Sequence, residues 1–170
     1  MIKIQKVKLD EIPKAKRLLS YTWVDTYGSF FSKEAIRKIT RVWHHPKTLA
    51  IQAKNPDIFF GVAKTEKGKI VGLVTVRKIK DSKIFMNRLY VHPKYQRKGI
   101  GKKLMDKAAR HFRARKIRLE VEEKNKKGLN FYLKNGFRKI RKKIEVIEGQ
   151  KMITIVMEKR IKRDTNKVRW

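Results

Sequence analysis

The stretch 90-YVHPKYQRKGIGKKLM-105 decides how the rest of the chain is read. A strand-like run stops at Pro93, Gly99 and Gly101 follow one residue apart, and a basic amphipathic run begins at once. A glycine lets the backbone approach a ligand closely, because no Cβ stands in the way. A loop entering a helix N-terminus presents unpaired N–H groups and the positive end of the helix dipole, which suits an anion such as phosphate. The spacing is not the dinucleotide fingerprint, which needs a third glycine and a later acid. Nor is it a Walker loop, since no Gly-Lys-Ser/Thr follows.

Working outward, 58-IFFGVAK-64 and 70-IVGLVTVRKI-79 flank the turn 65-TEKGK-69 as a β-hairpin pattern, and 83-KIFMNRLYVH-92 supplies another strand. Toward the N-terminus, residues 2–9 alternate as an opening strand. Asp10 is placed as an N-cap, with Pro13 in the first turn of a helix that runs to Gly28. A second helix starts at Ser32, while 44–57, holding Pro46 and Pro56, reads as irregular. Toward the C-terminus come a basic helix over 102–115 and a strand over 116–122 with Ile117, Leu119 and Val121 on one face. A short helix then ends at Asn135-Gly136, and two strands, 137–147 and 151–159, flank a turn at Glu148-Gly149-Gln150. The predicted order is β-α-α-β-β-β-α-β-α-β-β. That is an α/β (mixed α+β) fold with a mixed six- to seven-stranded sheet and helices on both faces. Residues 1–160 are expected to form a single domain, followed by a basic C-terminal tail at 161–170.

The 170 residues hold 47 Lys+Arg against 15 Asp+Glu, a net charge of +32. Ion pairing cannot absorb that excess, so the surface field should attract polyanions such as nucleic acid or the ribosome. No apolar run approaches the ~20 residues that span a bilayer, and the N-terminal stretch lacks the apolar core of a secretory signal. The absence of cysteine excludes disulfides, thiolate metal sites and a cysteine nucleophile. A soluble cytoplasmic protein with no membrane partner is the expectation.

A second motif, 125-NKKGLNFYLKNGF-137, lies on the helix after the next strand. Together the two motifs resemble the GNAT superfamily of acetyl-CoA-dependent N-acetyltransferases. Trp23, Thr26-Tyr27-Gly28 and Phe31-Ser32 are loosely similar to its polyamine acetyltransferase branch. The resemblance implies acetyl-CoA as co-substrate, with Gln96, Arg97, Lys98, Gly99, Ile100, Gly101 and Lys102 around its pyrophosphate and Lys94 and Lys103 in reach of its phosphates. It implies that the strand before the loop splays, so that backbone groups of Leu89, Tyr90 and Val91 pair with the pantetheine arm. Asn125 would meet the arm from the other side, within the segment that carries Phe131. Tyr132 is placed as the general acid that protonates the departing thiolate.

Direct attack on a thioester requires a neutral amine, hence a base or a water chain. Where many relatives carry a Glu, this chain reads Met86-Asn87-Arg88, so Asn87 is expected to hold a water rather than take a proton. Glu120 and Glu122 on the next strand are the candidates for a base acting through water, with pairing to lysines as their alternative. Trp23, Asp25, Tyr27 and Phe30 are expected in the acceptor pocket, His92 at a turn cap, and His44-His45 in a loop or substrate rim. No metal is expected. The acceptor stays open between a polyamine or other small amine, a protein N-terminus or lysine, and an RNA amine. The alternative reading is a non-catalytic RNA- or ribosome-binding module that retains the fold. A homodimer is expected, if at all, through an edge strand at 151–159.

Overall fold

Strands with one buried face alternate apolar and polar residues, and that period builds the sheet. The protein is described by a computed structural model covering residues 1–162 except Glu148. Glu148 of the expected last turn and the tail from residue 163 lie outside the described residues; Ile161 and Lys162 belong to no regular element. The elements are β1 (Lys3–Lys6), α1 (Ile12–Tyr27), α2 (Lys33–Trp43), α3 (Pro46–Lys54), β2 (Ile58–Lys64), β3 (Ile70–Ile79), β4 (Lys83–Val91), α4 (Ile100–His111), β5 (Lys116–Glu122), α5 (Lys126–Lys134), β6 (Arg138–Ile147) and β7 (Gln150–Arg160). The seven strands form one mixed sheet in the order β1-β2-β3-β4-β5-β7-β6. All pairings are antiparallel except β4–β5.

Helices cover both faces, as expected. On one face α4 lays Leu104, Met105 and Ala108 over Val74, Ile84, Met86, Ile117, Leu119 and Met157. On the other, Leu18, Leu19 and Leu49 of α1 and α3 pack on Phe60, Val62 and Leu73. A third cluster joins Trp23, Tyr27 and Phe31 to Ile36 and Ile39 of α2 and to Met152 of β7. No helix among the described residues is long and apolar enough to cross a membrane.

Four local expectations change. The segment read as irregular contains α3: Pro46 sits in its first turn, where no amide partner is needed, and the His45 side chain accepts from the Lys47 amide at 3.2 Å. The order therefore gains one helix. Asp10 is not the cap of α1; it lies in a 3-10 turn, Leu9–Glu11, in which Glu11 accepts from the Lys8 amide at 3.0 Å. Helix α4 begins at Ile100, inside the glycine loop, and ends at His111. Finally, 151–159 is not an edge: β7 runs between β5 and β6, so it offers no free side for pairing subunits, and the edge falls to β6.

Candidate active site

The site follows from where β4 and β5 part. Their parallel pairing covers Lys83↔Lys116 to Met86↔Leu119 and stops. Beyond it, β4 stays on β3 as far as Val91 and β5 stays on β7 as far as Glu122, so the two strands diverge with open inner edges. A bulge marks the parting. Thr75 faces Arg88 while Val76 faces Met86, which leaves Asn87 as the extra residue. Asn87 is exposed there. The bulge also sets the faces of β4 beyond it: Leu89 and Val91 turn toward α4, and Tyr90 turns toward α1 and α2.

The glycine loop closes one end of this cleft. Gly99 caps α4 at φ 73°, and Arg97 is also left-handed at φ 58°. Among the described residues, no backbone carbonyl accepts from the amides of residues 97–102, so this turn presents free donors at the positive end of a helix. Gln96 does not face outward: its Nε2 donates to the Val91 carbonyl at 2.9 Å and braces the loop against β4. A Cβ on Gly101 would stand 3.2 Å from Phe131 Cζ, so the loop touches α5 through a glycine that leaves room for the ring. The two motifs are thereby brought together. Lys98 lies over the Tyr95 ring at 5.6 Å, and Lys102 is paired with Asp106 at 2.7 Å.

On α5, Asn125 spends its side-chain oxygen as the N-cap, accepting from the Gly128 amide at 2.9 Å, which leaves its NH2 as the group to offer. Tyr132 packs between Phe131 and Phe137, each 5.3 Å away by ring centroids. Burial first, and the neighbouring Tyr90 second, push its hydroxyl well up, so it stays protonated at neutral pH.

On β5 the two glutamates separate. Glu120 is paired with Lys143 at 3.4 Å and is thus engaged as the lysine-pairing alternative has it. Glu122 is only 4% exposed, its Oε2 has no partner, and its Oε1 accepts only a long 3.5 Å contact from the Lys124 amide. Burial raises its carboxyl, partly offset by the Lys124 amide and by the more distant Ile153 amide. Burial above all raises the Tyr27 hydroxyl too, with Tyr90, Tyr132 and Glu122 adding to the shift.

The expected acceptor residues divide. Trp23 and Tyr27, one helical turn apart, are buried and packed together at 4.4 Å, and Phe30 meets Tyr27 edge-on at 5.6 Å. Asp25 does not join them. It is exposed on the other side of α1, near His92, which stacks on Tyr21 at 4.8 Å and caps its turn by accepting from the Lys94 amide at 3.2 Å. His44 and His45 lie in the turn between α2 and α3, as a loop position requires, and His45 is exposed. His44, however, is no rim residue: it is 1% exposed beside Trp23, and burial, with Arg88 and Lys16 nearby, pushes its imidazole down to about 3.

Sequence reasoning overlooked Arg88. Its guanidinium donates to Gln52 Oε1 at 2.8 Å, Thr75 Oγ1 at 3.3 Å and the Trp43 carbonyl at 2.7 Å, tying the α2–α3 junction to the bulge. No carboxylate pairs with it among the described residues. The signal that points to it is a charged residue in the interior of a strand, set between Met86-Asn87 and the apolar Leu89-Tyr90-Val91.

Residues 20–137 match the acetyltransferase (GNAT) family. A spermidine N(1)-acetyltransferase of Thermoplasma acidophilum is 30% identical over 166 residues, 94% of this chain and 97% of that protein. The crystal structure of PaiA N-acetyltransferase from Thermoplasma acidophilum in complex with coenzyme A superposes with a TM-score of 0.79 at 28% identity, covering 95% of this chain and 99% of that one. The ribosomal-protein-S18-alanine N-acetyltransferase of Escherichia coli shares the fold at 17% identity, with a TM-score of 0.69 and full coverage of both chains.

Proposed function

The chain belongs to the acetyltransferase (GNAT) family, and on that premise we propose that it transfers the acetyl group of acetyl-CoA to a primary amine by direct attack on the thioester. The observation that carries the reading is the cleft between β4 and β5, with free loop amides at one end and Glu122 and Tyr132 along it. The residues present suit the co-substrate. The amides of Arg97 to Lys102 are donors for a pyrophosphate, Arg97, Lys98 and Lys103 add charge, and the open edge of β4 at Leu89 and Tyr90 can pair with an amide-bearing arm. The Val91 carbonyl is already taken by Gln96.

Bound acetyl-CoA supplies an acetyl group activated as a thioester. Glu122 accepts the proton that the attacking amine must lose, directly or through a water held with Asn87. A carboxylate raised by burial is a better base near neutral pH than an exposed one. The open backbone N–H groups of β4 polarise the acetyl carbonyl. As the carbon–sulfur bond breaks, the Tyr132 hydroxyl gives its proton to the departing thiolate, a role its raised pKa keeps it ready for. Trp23, Tyr27 and Phe30 wall the acceptor side.

The acceptor is a short primary amine. Spermidine is the first to test because a relative is named for it. Against a long polycation stand the half-buried Arg88 and the outward-facing Asp25. The experiment follows release of free coenzyme A thiol with spermidine, with shorter monoamines and diamines, and with an amine-bearing peptide. Thiol release that depends on one of these amines, with the acetyl group recovered on it, supports the reading. Tight binding of acetyl-CoA with no release for any amine overturns it.

A further inference from the structure

At the far end of α4 from the glycine loop lies a second concavity. It is a groove of about 580 Å³ between the end of α4, the start of β5 and the end of β7. The 12 residues of α4, at ~1.5 Å of rise each, put it roughly 18 Å from the loop. Five cationic side chains line it: Arg110, Arg113, Arg115, Lys159 and Lys162. Its one carboxylate, Asp106, is already bonded to Lys102.

Neighbouring cations are treated differently. Glu158 pairs with both Lys116 and Arg118, Glu123 with Lys142, and Glu120 and Glu145 with Lys143. None of the five groove cations has an acidic partner among the described residues. In a chain with 15 carboxylates for 47 bases most cations go unpaired, and this groove gathers five of them around one concavity.

Its frame is fixed by backbone. The Arg115 amide donates to the Ser82 carbonyl at 2.7 Å, and the Ile161 amide to the Arg115 carbonyl at 2.8 Å. Helix α4 ends with the Ala114 amide bonded to the Ala109 carbonyl at 2.9 Å, the helix-stop geometry whose left-handed residue is ordinarily glycine. Here that residue is Arg113, at φ 48°. The chain therefore places a guanidinium where glycine would relieve strain. One or two bases would answer the negative end of the helix dipole; five exceed it.

We propose that this groove binds the phosphate backbone of a nucleic acid, separately from the acetyl-transfer site. Three arginines present planar forks that match phosphate oxygens. The charge also continues beyond the groove. Beyond Lys159, the neighbouring β6 carries the exposed Arg138, Lys139 and Arg141, so a polymer rather than a single anion would meet further cations.

The test is fluorescence anisotropy of a labelled single-stranded RNA of mixed sequence, titrated with the full chain across a range of KCl concentrations. Arg110→Gln with Arg113→Gly should weaken binding at least about tenfold at low salt and lower the salt slope by roughly one to two, the number of phosphate contacts removed. Lys14→Gln with Lys47→Gln removes the same charge from exposed positions elsewhere and should cost less than about twofold. Arg113→Gly should leave the melting temperature unchanged or higher, which separates lost binding from lost folding. Equal losses in the two double variants, no RNA binding by the parent chain, or displacement of RNA by polyglutamate as readily as by unlabelled RNA would each overturn the proposal. Acetyl-CoA affinity should be the same in all variants, so the outcome is independent of the acetyl-transfer reading.

Discussion

Replacing Glu122 by Gln should make the protein more stable and nearly inactive. The carboxylate is 4% exposed, one oxygen has no partner, and the other has a single long contact. A buried charged group without its hydrogen bonds costs about 1–3 kcal/mol, and each tenfold change in proton affinity corresponds to about 1.4 kcal/mol. Because the folded-state pKa is raised above the unfolded one, this residue favours the fold most at low pH. That favour is lost as pH rises through the raised pKa. The neutral amide escapes the penalty, so at pH 7 Glu122→Gln should gain about 1 kcal/mol, or roughly 2–4 °C in Tm for a chain of this size. At pH 4 the gain should vanish. Loss of a general base should lower kcat by about 10²–10⁴-fold and remove the acid limb of the pH–rate profile. Thermal melts at the two pH values, with thiol-release kinetics from pH 5 to 9, read all of this. A variant that keeps full activity refutes the assignment of the base. A variant less stable than the parent at pH 7 shows that the carboxylate is satisfied in the fold, and the reasoning fails at its first step.

Tyr132→Phe keeps the ring between Phe131 and Phe137, so acetyl-CoA affinity and Tm should hold while kcat falls by about 10²-fold or more; calorimetric titration beside steady-state kinetics separates the two. Gly101→Ala brings a methyl to 3.2 Å from Phe131. Helix propensity offsets the crowding by up to about 1 kcal/mol, so the expected signature in calorimetry is weaker acetyl-CoA binding with an almost unchanged Tm. Glu11 and Lys64 form a half-buried pair. Burial raises the Glu11 carboxyl, but the hydrogen bonds from Lys64 and the Lys8 amide and the Lys64 charge outweigh it, and the net pKa is lowered. The pair therefore stabilises the fold above the unfolded carboxyl pKa and fades as pH falls through the lowered one. Lys64→Met should cost about 3 kcal/mol at pH 7 and much less at acid pH, as urea melts would show.

The architecture was legible because its signals are periodic. The hairpin 58–79, the alternation of Ile117, Leu119 and Val121, and the Ser32 cap are written in short-range chemistry, and each stands where expected. Helix α3 was hidden because Pro46 reads as a breaker until its place in a first turn is known. The motif residues could be paired from sequence, but their condition could not. Whether Gln96 faces a ligand or braces β4, and whether Glu120 or Glu122 is left free, depends on partners supplied by β4, β6 and β7. Asp25 was misplaced by two positions of helical phase, since Trp23 and Tyr27 share the buried face and the residue midway between them cannot. Arg88 was missed because its partners come from the α2–α3 junction, which a linear reading left without structure.

The short seam between β4 and β5 also bears on the order in which the chain assembles. Strands β2, β3 and β4 are joined by brief turns, so their ladders close small loops and carry little entropic cost. The seam spans four pairs and must wait for the α4 crossover, while β7, a hairpin with β6, must still find β5 from beyond α5. Non-local pairings of this kind form slowly. Pulsed hydrogen exchange should find the amides of 58–79 protected early and those of 116–122 late. The acetyl-transfer cleft, lined by one strand from each side, then becomes competent only at the final step of folding.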